Sequence, residues 1–389
     1  MRGWHGVGLV TGWQAVASLS FYAIFAATAF LRADFGLSRT LVGVTITVTM
    51  LGYTLLLFVM GAAVDGYGER PVMVGGLLAL GLGAAGVAVA PSYAVLLLVL
   101  LVLGGAYATA MPATNRAVLA VAPPGRRNLT MSIKQVGVTV GSGLGALLVT
   151  WTAATRFGWR AGFVTVAAVA LVVAVAFGHW YRGDGGSGSM GLPDVRGLLS
   201  RPDYRLLVAA GFFYGAAIFT TTAYVVLYLT ESVGAAAGVA GSVLALVQLT
   251  GSGGRIGGGA LVDRLPLGDA RASAFVLVGQ STLGVACIVT VTAVDTELAA
   301  AVGFAALGLF VFGVPATYYA CMTALVPSDR VGEATAGGQL TINAGGLLAP
   351  PAFGYLVDTA GYTAGWFALA GGVGVAALLT GWLTVLTRA

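Results

Sequence analysis

Twelve long apolar stretches recur along the chain, from near its first residue to near its last. A helix needs about 20 apolar residues to cross the hydrocarbon core of a bilayer, and each stretch is long enough to do so. Only 8% of the residues are charged, whereas a soluble globule needs about a quarter of its residues charged to cover its surface. The sequence therefore predicts an all-α polytopic membrane protein with twelve transmembrane helices. The predicted spans cover residues 8–31, 41–63, 71–90, 94–118, 129–151, 160–181, 205–229, 238–261, 272–294, 298–324, 334–357 and 365–386.

The arginines are distributed unevenly between the two sets of connecting segments. An even number of spans places both termini on one side, and cytoplasmic segments carry an excess of arginine and lysine. One set holds Arg2, Arg70, Arg126, Arg127, Arg182, Arg196, Arg201, Arg205, Arg264, Arg271, Arg330 and Arg388. The other set holds only Arg32, Arg39, Arg156 and Arg160. This bias predicts that both termini are cytoplasmic, and we expect the protein in the plasma membrane.

A glycine- and serine-rich stretch, GDGGSGS, lies between the sixth and seventh spans. Such a composition is typical of a flexible linker, so we expect a cytoplasmic linker at 182–204 between six-helix bundles at 1–181 and 205–389. The two halves also repeat, because GVPATYYACMTALVPSDR (313–330) aligns with AMPATNRAVLAVAPPGRR (110–127) at an offset of 203 residues. A parallel repeat of this kind is typical of carriers with two bundles and a site at the interface between them.

The loop after span 2 reads Gly61-Ala-Ala-Val-Asp65-Gly-Tyr-Gly68-Glu-Arg70. It resembles the G-x-x-x-D-[RG]-x-G-[RK]-[RK] motif of the major facilitator superfamily, with Glu69 where that family commonly has a basic residue. A second copy, Gly259-Ala-Leu-Val-Asp263-Arg264, follows span 8 and lacks the late glycine and basic residues. The resemblance covers nearly the whole chain and implies a carrier that works by alternating access. It also implies a cytoplasmic gate formed by Gly61, Asp65, Arg70, Gly259, Asp263 and Arg264.

Asp65 and Asp263 suit the role of a gate on physical grounds. A carboxylate at a helix end can accept hydrogen bonds from the N-terminal amides of a neighbouring helix and attract its positive dipole. Such a contact can form in one conformation and break in another. The alternative is that both loops are solvated turns whose charges only set the orientation.

Three cations lie within apolar spans: Arg116 in span 4, Lys134 in span 5 and Arg255 in span 8. A cation in a membrane span is costly and should face protein, water or a partner. We expect Arg116 to make a bidentate contact with a carboxylate and Lys134 to add a second charge; the alternative is that both side chains snorkel to the headgroups. In the repeat, Arg116 falls opposite Tyr319 and Lys134 opposite Gly337, so neither cation belongs to the shared scaffold, which favours a function.

Lys134 is the only lysine, and Gly141 and Gly145 share its side of the helix. Stripes of small residues indicate helix contacts rather than lipid-facing surfaces. In the family that the chain resembles, span 5 meets span 8, so we expect Lys134 to meet Arg255 across a glycine-lined contact. An arginine at this point of span 8 resembles the organic-anion carriers of the superfamily. Alternatively, Arg255 is structural and bonds to backbone carbonyls or to the Asp263 loop.

Polar side chains in other spans are candidates for completing a substrate pocket. Gln339 and Asn343 are four residues apart and share one helix face. Amides and phenols also join helices to one another in membranes, and that alternative stays open for each of them. The candidate substrate-binding residues, with the three cations, are Tyr22, Tyr214, Gln248, Tyr319, Gln339 and Asn343.

No aspartate or glutamate lies in the middle of a predicted span. Proton-driven sugar and drug carriers usually need a buried carboxylate to load the proton; here the proton would ride on Lys134 or on the substrate, and exchange or facilitated diffusion needs neither. The sequence contains no nucleophile–base pair and no metal-ligand spacing, so we expect no enzyme, cofactor or metal. No loop carries a basic, aromatic-rich patch, which argues against nucleic acid as a partner.

These observations together favour a secondary active or facilitative transporter of a small organic anion, most simply a carboxylate. We expect a monomer in the bilayer, with a proton or a counter-anion as the coupling ion. One alternative is an exporter of a neutral or cationic amphiphile, in which the three cations are structural. Another is a membrane sensor of the same fold that transports nothing.

Overall fold

A computed structural model describes residues 3–124, 126–183, 185, 196–327 and 330–387. All regular secondary structure within these ranges is helical. Eleven helical spans there are long and apolar enough to cross a membrane, so the predicted all-α membrane class is confirmed. Arg2, Arg388 and much of the predicted linker, at 184 and 186–195, lie outside the described residues.

Within the described residues, the first half of the chain contains eight α-helices and the second half six. The first eight are α1 Trp4–Ala26, α2 Thr28–Phe35, α3 Arg39–Tyr67, α4 Glu69–Val89, α5 Tyr93–Tyr107, α6 Ala110–Val121, α7 Arg127–Ala153 and α8 Gly158–Trp180. After a 3₁₀ turn at Arg196–Ser200 come α9 Pro202–Tyr228, α10 Ala237–Arg264, α11 Asp269–Val291, α12 Glu297–Leu307, α13 Val314–Leu325 and α14 Val331–Leu386. Two π-helical turns, Leu229–Val233 and Gly308–Phe312, follow α9 and α12.

Helix α14 has 56 residues and a break at Gly361. The φ of Gly361 is 84°, a value that glycine adopts without strain. A straight helix of that length would be about 84 Å long at 1.5 Å per residue, far more than the roughly 30 Å of a hydrocarbon core. The break falls between the predicted spans 334–357 and 365–386. Each side of it is long enough for one crossing.

Spans 4 and 10, which were predicted to be continuous, break at matching places in the sequence repeat. Span 4 is divided between α5 and α6, just before Pro112. Span 10 is divided by the π-helical turn Gly308–Phe312, just before Pro315. Proline lacks the amide hydrogen and crowds the carbonyl four residues earlier, so it disrupts a helix at that point. The shared Pro-Ala-Thr therefore gives both halves a short helix after the break.

Contacts between residues divide the chain into two compact units. Unit 1 comprises Met1–Gly36, Val48–Leu192 and Ala237–Ala245, and unit 2 comprises Leu37–Thr47, Pro193–Ala236 and Leu246–Ala389. Each unit follows one half of the sequence except for two segments. The beginning of α3 packs with unit 2, and the beginning of α10 packs with unit 1.

Candidate functional site

Lys134 on α7 is fully buried within unit 1. Its ammonium donates to the side-chain oxygen of Asn115 at 2.9 Å and of Gln135 at 3.2 Å, and the sulfur of Met111 lies 3.6 Å away. Among the described residues, no carboxylate lies within 4 Å of this ammonium. The charge is therefore held by neutral dipoles and is not neutralised. Asn115 was not among the residues that the sequence pointed to.

The glycine stripe beside Lys134 faces α1, and the expectation that it faces span 8 is wrong. A methyl group added at Gly137 would lie 2.7 Å from the carbonyl oxygen of Thr11, and one at Gly145 would lie 3.0 Å from that of Leu19. Gly141, between them, is closer still to the backbone of α1. The stripe was ambiguous because α7 has small residues on more than one face, and Gly143 is the one that approaches the start of α10.

Arg116 on α6 contacts the loop that the sequence assigned to a gate. Its Nε lies 3.2 Å from a carboxylate oxygen of Glu69, and its Nη1 lies 3.6 Å from one of Asp65. The guanidinium also donates to the backbone carbonyls of Val64, at 3.2 Å, and Gly185, at 3.0 Å. The predicted substrate-binding arginine is thus occupied by ion pairs and carbonyls within unit 1.

Glu69, which stands where the family commonly has a basic residue, joins the loop to two neighbouring helices. Its side chain is fully buried, pairs with Arg116 and accepts a hydrogen bond from the hydroxyl of Tyr181 at 3.1 Å. Arg70 donates to the carbonyl of Gly178 on α8. The side chain of Asp65 stays about half exposed. The departure from the motif at position 69 was the sequence signal for this cluster, but the partner of Glu69 could not be read from it.

The rest of the predicted gating set makes fewer contacts. A methyl group at Gly61 would just touch Pro112 on α6, and one at Gly259 would meet open space. Asp263 and Arg264 are exposed, and neither forms an ion pair with another described residue. The two copies of the motif therefore differ, since only the first is built into a buried cluster.

Arg255 on α10 lies within unit 2, against span 10. Its Nε donates to the carbonyl of Phe312 at 3.1 Å, at the end of the π-helical turn. The neighbouring glycines pack on the same span, because a methyl group at Gly251 would lie 2.6 Å from the Cβ of Phe312 and one at Gly258 would lie 2.7 Å from the hydroxyl of Thr317. The contact with a backbone carbonyl agrees with the structural interpretation of Arg255.

A chain of polar groups joins spans 10 and 11 within unit 2. The hydroxyl of Tyr319 donates to Gln339 at 2.5 Å, and the amide nitrogen of Gln339 donates to Asn343 at 2.8 Å. Gln339 and Asn343 therefore share a face, as their spacing predicts. Asn343 is fully buried, and its amide nitrogen has no hydrogen-bond partner. A buried donor without a partner is rare and calls for an explanation.

The remaining candidates pack in the cores of the two units. In unit 1, Tyr22 is half-buried and packs against aromatic rings, with the ring of Phe21 centred 5.1 Å away. In unit 2, Tyr214 is buried and its hydroxyl lies 2.9 Å from that of Ser281. Gln248 is also buried. Tyr214 thus serves as an interhelical contact, the alternative that the sequence left open.

A second charged cluster, which the sequence did not indicate, surrounds the first turn of α3 within unit 2. Asp358 accepts hydrogen bonds from the backbone amides of Arg39, at 3.1 Å, and Thr40, at 2.8 Å. Arg39 pairs with Glu231 at 2.8 Å, and the hydroxyl of Tyr362 donates to the same carboxylate at 2.7 Å. This is the geometry of a carboxylate on a helix start that we expected for Asp65, found at the opposite end of α3.

Comparison with known proteins identifies the family. A model of the Major Facilitator Superfamily matches residues 11–336. The chain belongs to the major facilitator superfamily. It is 24% identical over 376 residues to the hexuronate transporter of Bacillus subtilis (strain 168), covering 92% of this chain and 88% of that protein.

Solved structures show the same fold. A bacterial homologue of the human lysosomal transporter Spinster, inward-facing and occupied, superposes with a TM-score of 0.78 at 16% identity, over 98% of this chain and 96% of that one. Its unoccupied form gives 0.79 at 14% identity, over 99% and 96%. The resemblance seen in the sequence is confirmed, and the chain is a multi-pass membrane transporter rather than an enzyme.

Proposed function

We propose that this protein carries a small organic anion with a carboxylate group across the membrane by alternating access. It does so with twelve spans in two six-helix bundles, divided as the sequence predicts, in the plasma membrane and with cytoplasmic termini. The observation that carries the proposal is the environment of Lys134. A fully buried ammonium contacts only neutral groups of the described chain.

The charge of Lys134 favours an anionic ligand over a neutral one. Removing an ion from water costs several kcal/mol, and a counter-charge recovers part of that cost. Asn115 and Gln135 supply good acceptors, but the thioether of Met111 is a weak one. We expect a carboxylate oxygen of the substrate to accept the ammonium hydrogen that now faces Met111. That charge-assisted hydrogen bond is worth about 1.5–3 kcal/mol.

The chemistry of unit 2 favours a ligand that also carries hydroxyl groups. The Tyr319–Gln339–Asn343 chain ends in an amide donor with no partner, which suits a hydroxyl oxygen. Arg255 adds a second positive charge on the neighbouring helix. A hexuronate, which the B. subtilis relative is named for, combines a carboxylate with several hydroxyls. We therefore propose a sugar acid as the substrate class, with Tyr22 and Gln248 as further lining residues and Tyr214 in support.

We propose that the Asp65 and Asp263 loops act as the gate. The contacts of Arg116 with Asp65 and Glu69 support this for the first loop, and we add Arg116 to the proposed gate in place of the substrate site. A proton or a counter-anion remains the proposed coupling ion. The buried carboxylate of Glu69 lies at the start of α4 rather than in the middle of a span. A coupling proton is therefore more simply carried on Lys134 or on the substrate.

Uptake into proteoliposomes tests this function. The labelled compounds are glucuronate, glucose and a cationic amphiphile. Each is tested with wild type, with Lys134→Met and with Arg156→Gln, which is a control at an exposed arginine. We expect wild type and Arg156→Gln to take up glucuronate in preference to glucose. Lys134→Met should lower kcat/KM for glucuronate at least tenfold, about 1.4 kcal/mol. Glucuronate uptake that survives Lys134→Met would reject the assignment, and uptake of the amphiphile alone would favour a drug-type exporter.

A further inference from the structure

Helix α6 is a short, separate segment of span 4. It has twelve residues, begins after the break at Ala108 and Thr109, and ends before Pro123 and Pro124. Both proline-associated breaks interrupt the helical hydrogen-bond ladder, so α6 is connected to the rest of its chain by two bends. A helix bounded in this way can move as one rigid piece.

Two neighbouring residues of α6 hold the two fully buried charges of the described chain. Those charges are Lys134 on α7 and Glu69 at the start of α4. Asn115 accepts from Lys134, and Arg116 pairs with Glu69. Consecutive residues point about 100° apart around a helix, so the same segment faces both charges at once.

The contacts on each face of α6 are of different kinds. Met111 and Asn115, four residues apart, both contact the ammonium of Lys134. Thr114 donates to Gln14 on α1 at 2.9 Å. Arg116 reaches the carboxylates of Asp65, at the end of α3, and Glu69, at the start of α4. A displacement of the Lys134 ammonium therefore acts on α6, the helix that carries Arg116 of the proposed gate.

We propose that Asn115 is a positioning residue which links occupation of the anion site to the gate. This rests on the proposed function, because it requires that the anion binds at Lys134. With the site empty, the charge-assisted bond from Lys134 to Asn115 ties α6 to α7. A bound carboxylate, which takes the donor beside Met111, draws the ammonium toward itself; the bond to Asn115 lengthens and weakens, and α6 shifts with Arg116. The Arg116 contacts are 3.2 and 3.6 Å long, so a shift of about 1 Å takes both beyond the roughly 4 Å reach of an ion pair.

Gln135 provides a matched control for Asn115. It is also an amide that accepts from Lys134, at 3.2 Å rather than 2.9 Å, but it belongs to α7 itself. Removing Gln135 takes an acceptor from the ammonium and leaves the tie between α6 and α7. Removing Asn115 takes an acceptor and the tie together. The two variants therefore separate binding from transmission.

The experiment measures binding and gate movement in the same purified protein. A fluorophore is placed on Tyr67→Cys, an exposed position between Asp65 and Glu69, after Cys287→Ala and Cys321→Ala remove the free cysteines. Glucuronate is titrated into wild type, Asn115→Leu, Asn115→Gln and Gln135→Leu. The amount of bound glucuronate and the change in fluorescence are both recorded at each glucuronate concentration.

We expect Asn115→Leu to bind glucuronate within about fivefold of wild type and to lose most of the fluorescence change. Asn115→Gln, which still reaches the ammonium, should restore at least half of it. Gln135→Leu, which loses the other amide acceptor of the same ammonium, should bind glucuronate within the same factor and keep the full change at saturation. If Asn115→Leu does not fold, Asn115→Ser, too short for the bond, replaces it with the same expectation. A full gate response in the Asn115 variant overturns the coupling alone. Absence of glucuronate binding to wild type overturns the anion site and the coupling with it.

Discussion

Glu69 differs most from what its sequence position indicates. A position that is commonly basic in the family holds a fully buried carboxylate, in contact with Arg116 and Tyr181. Breaking a buried ion pair leaves a charge without its partner, which costs more than losing a pair at the surface. The stability of the first unit should therefore depend on Glu69.

Glu69→Gln keeps the shape of the side chain and removes its charge. We expect the free energy of unfolding to fall by about 2 kcal/mol, seen as a thermal midpoint several degrees lower. Glu333→Gln is the control, because Glu333 pairs with Arg330 at 2.8 Å where both side chains are about one-third exposed. That variant should change the midpoint little. Equal shifts for the two variants would show that the Glu69 pair is no stronger than a surface pair.

At the scale of the helices, the sequence predicted where the spans lie and not where they break or which faces meet. The breaks before Pro112 and Pro315 were not predicted, although proline acts through its own backbone and its position in the repeat was the available signal. The face that Gly141 presents depends on the rotation of α7 against two neighbours that both have small residues, and periodicity cannot choose between them. Asn115 gave no signal, because an asparagine within a helix has no distinct pattern.

Gly141 and Gly143 lie on the same helix and differ in what a methyl group would meet. At Gly141 it would collide with the carbonyl of Ala15, and at Gly143 it would lie 3.7 Å from Ala245, an ordinary contact. We expect Gly141→Ala to lower the thermal midpoint and the yield of monodisperse protein, measured by fluorescence-detected size exclusion. Gly143→Ala should equal or exceed wild type, since alanine favours helix over glycine. A Gly141→Ala protein as stable as Gly143→Ala would contradict the close packing of α7 on α1.

At the scale of the whole molecule, the family and the transporter class follow from patterns spread over the entire chain, so the sequence was sufficient for them. The charged cluster around Arg39 was not predicted, because Glu231 and Asp358 lie far away in sequence and each resembles a solvated residue near a span end. Orientation is the remaining prediction at this scale, and it rests on the arginine bias alone.

Single cysteines test the orientation. With the two native cysteines replaced, Thr155→Cys lies in a segment predicted to be external and Tyr67→Cys in one predicted to be cytoplasmic; both positions are exposed. In intact cells, a membrane-impermeant maleimide should label the cysteine at 155 only. The cysteine at 67 should react only after the cells are permeabilised. The reverse pattern would invert the predicted topology.

Lys134 is the residue that we propose selects a carboxylate. The most direct measurement compares the equilibrium binding of glucuronate with that of glucuronamide, which has the same ring and no charge, to wild type and to Lys134→Met. We predict that wild type prefers the acid at least tenfold and that this preference falls to within about twofold in the variant, a difference of about 1 kcal/mol or more. A preference for the acid that persists unchanged in Lys134→Met would contradict the account.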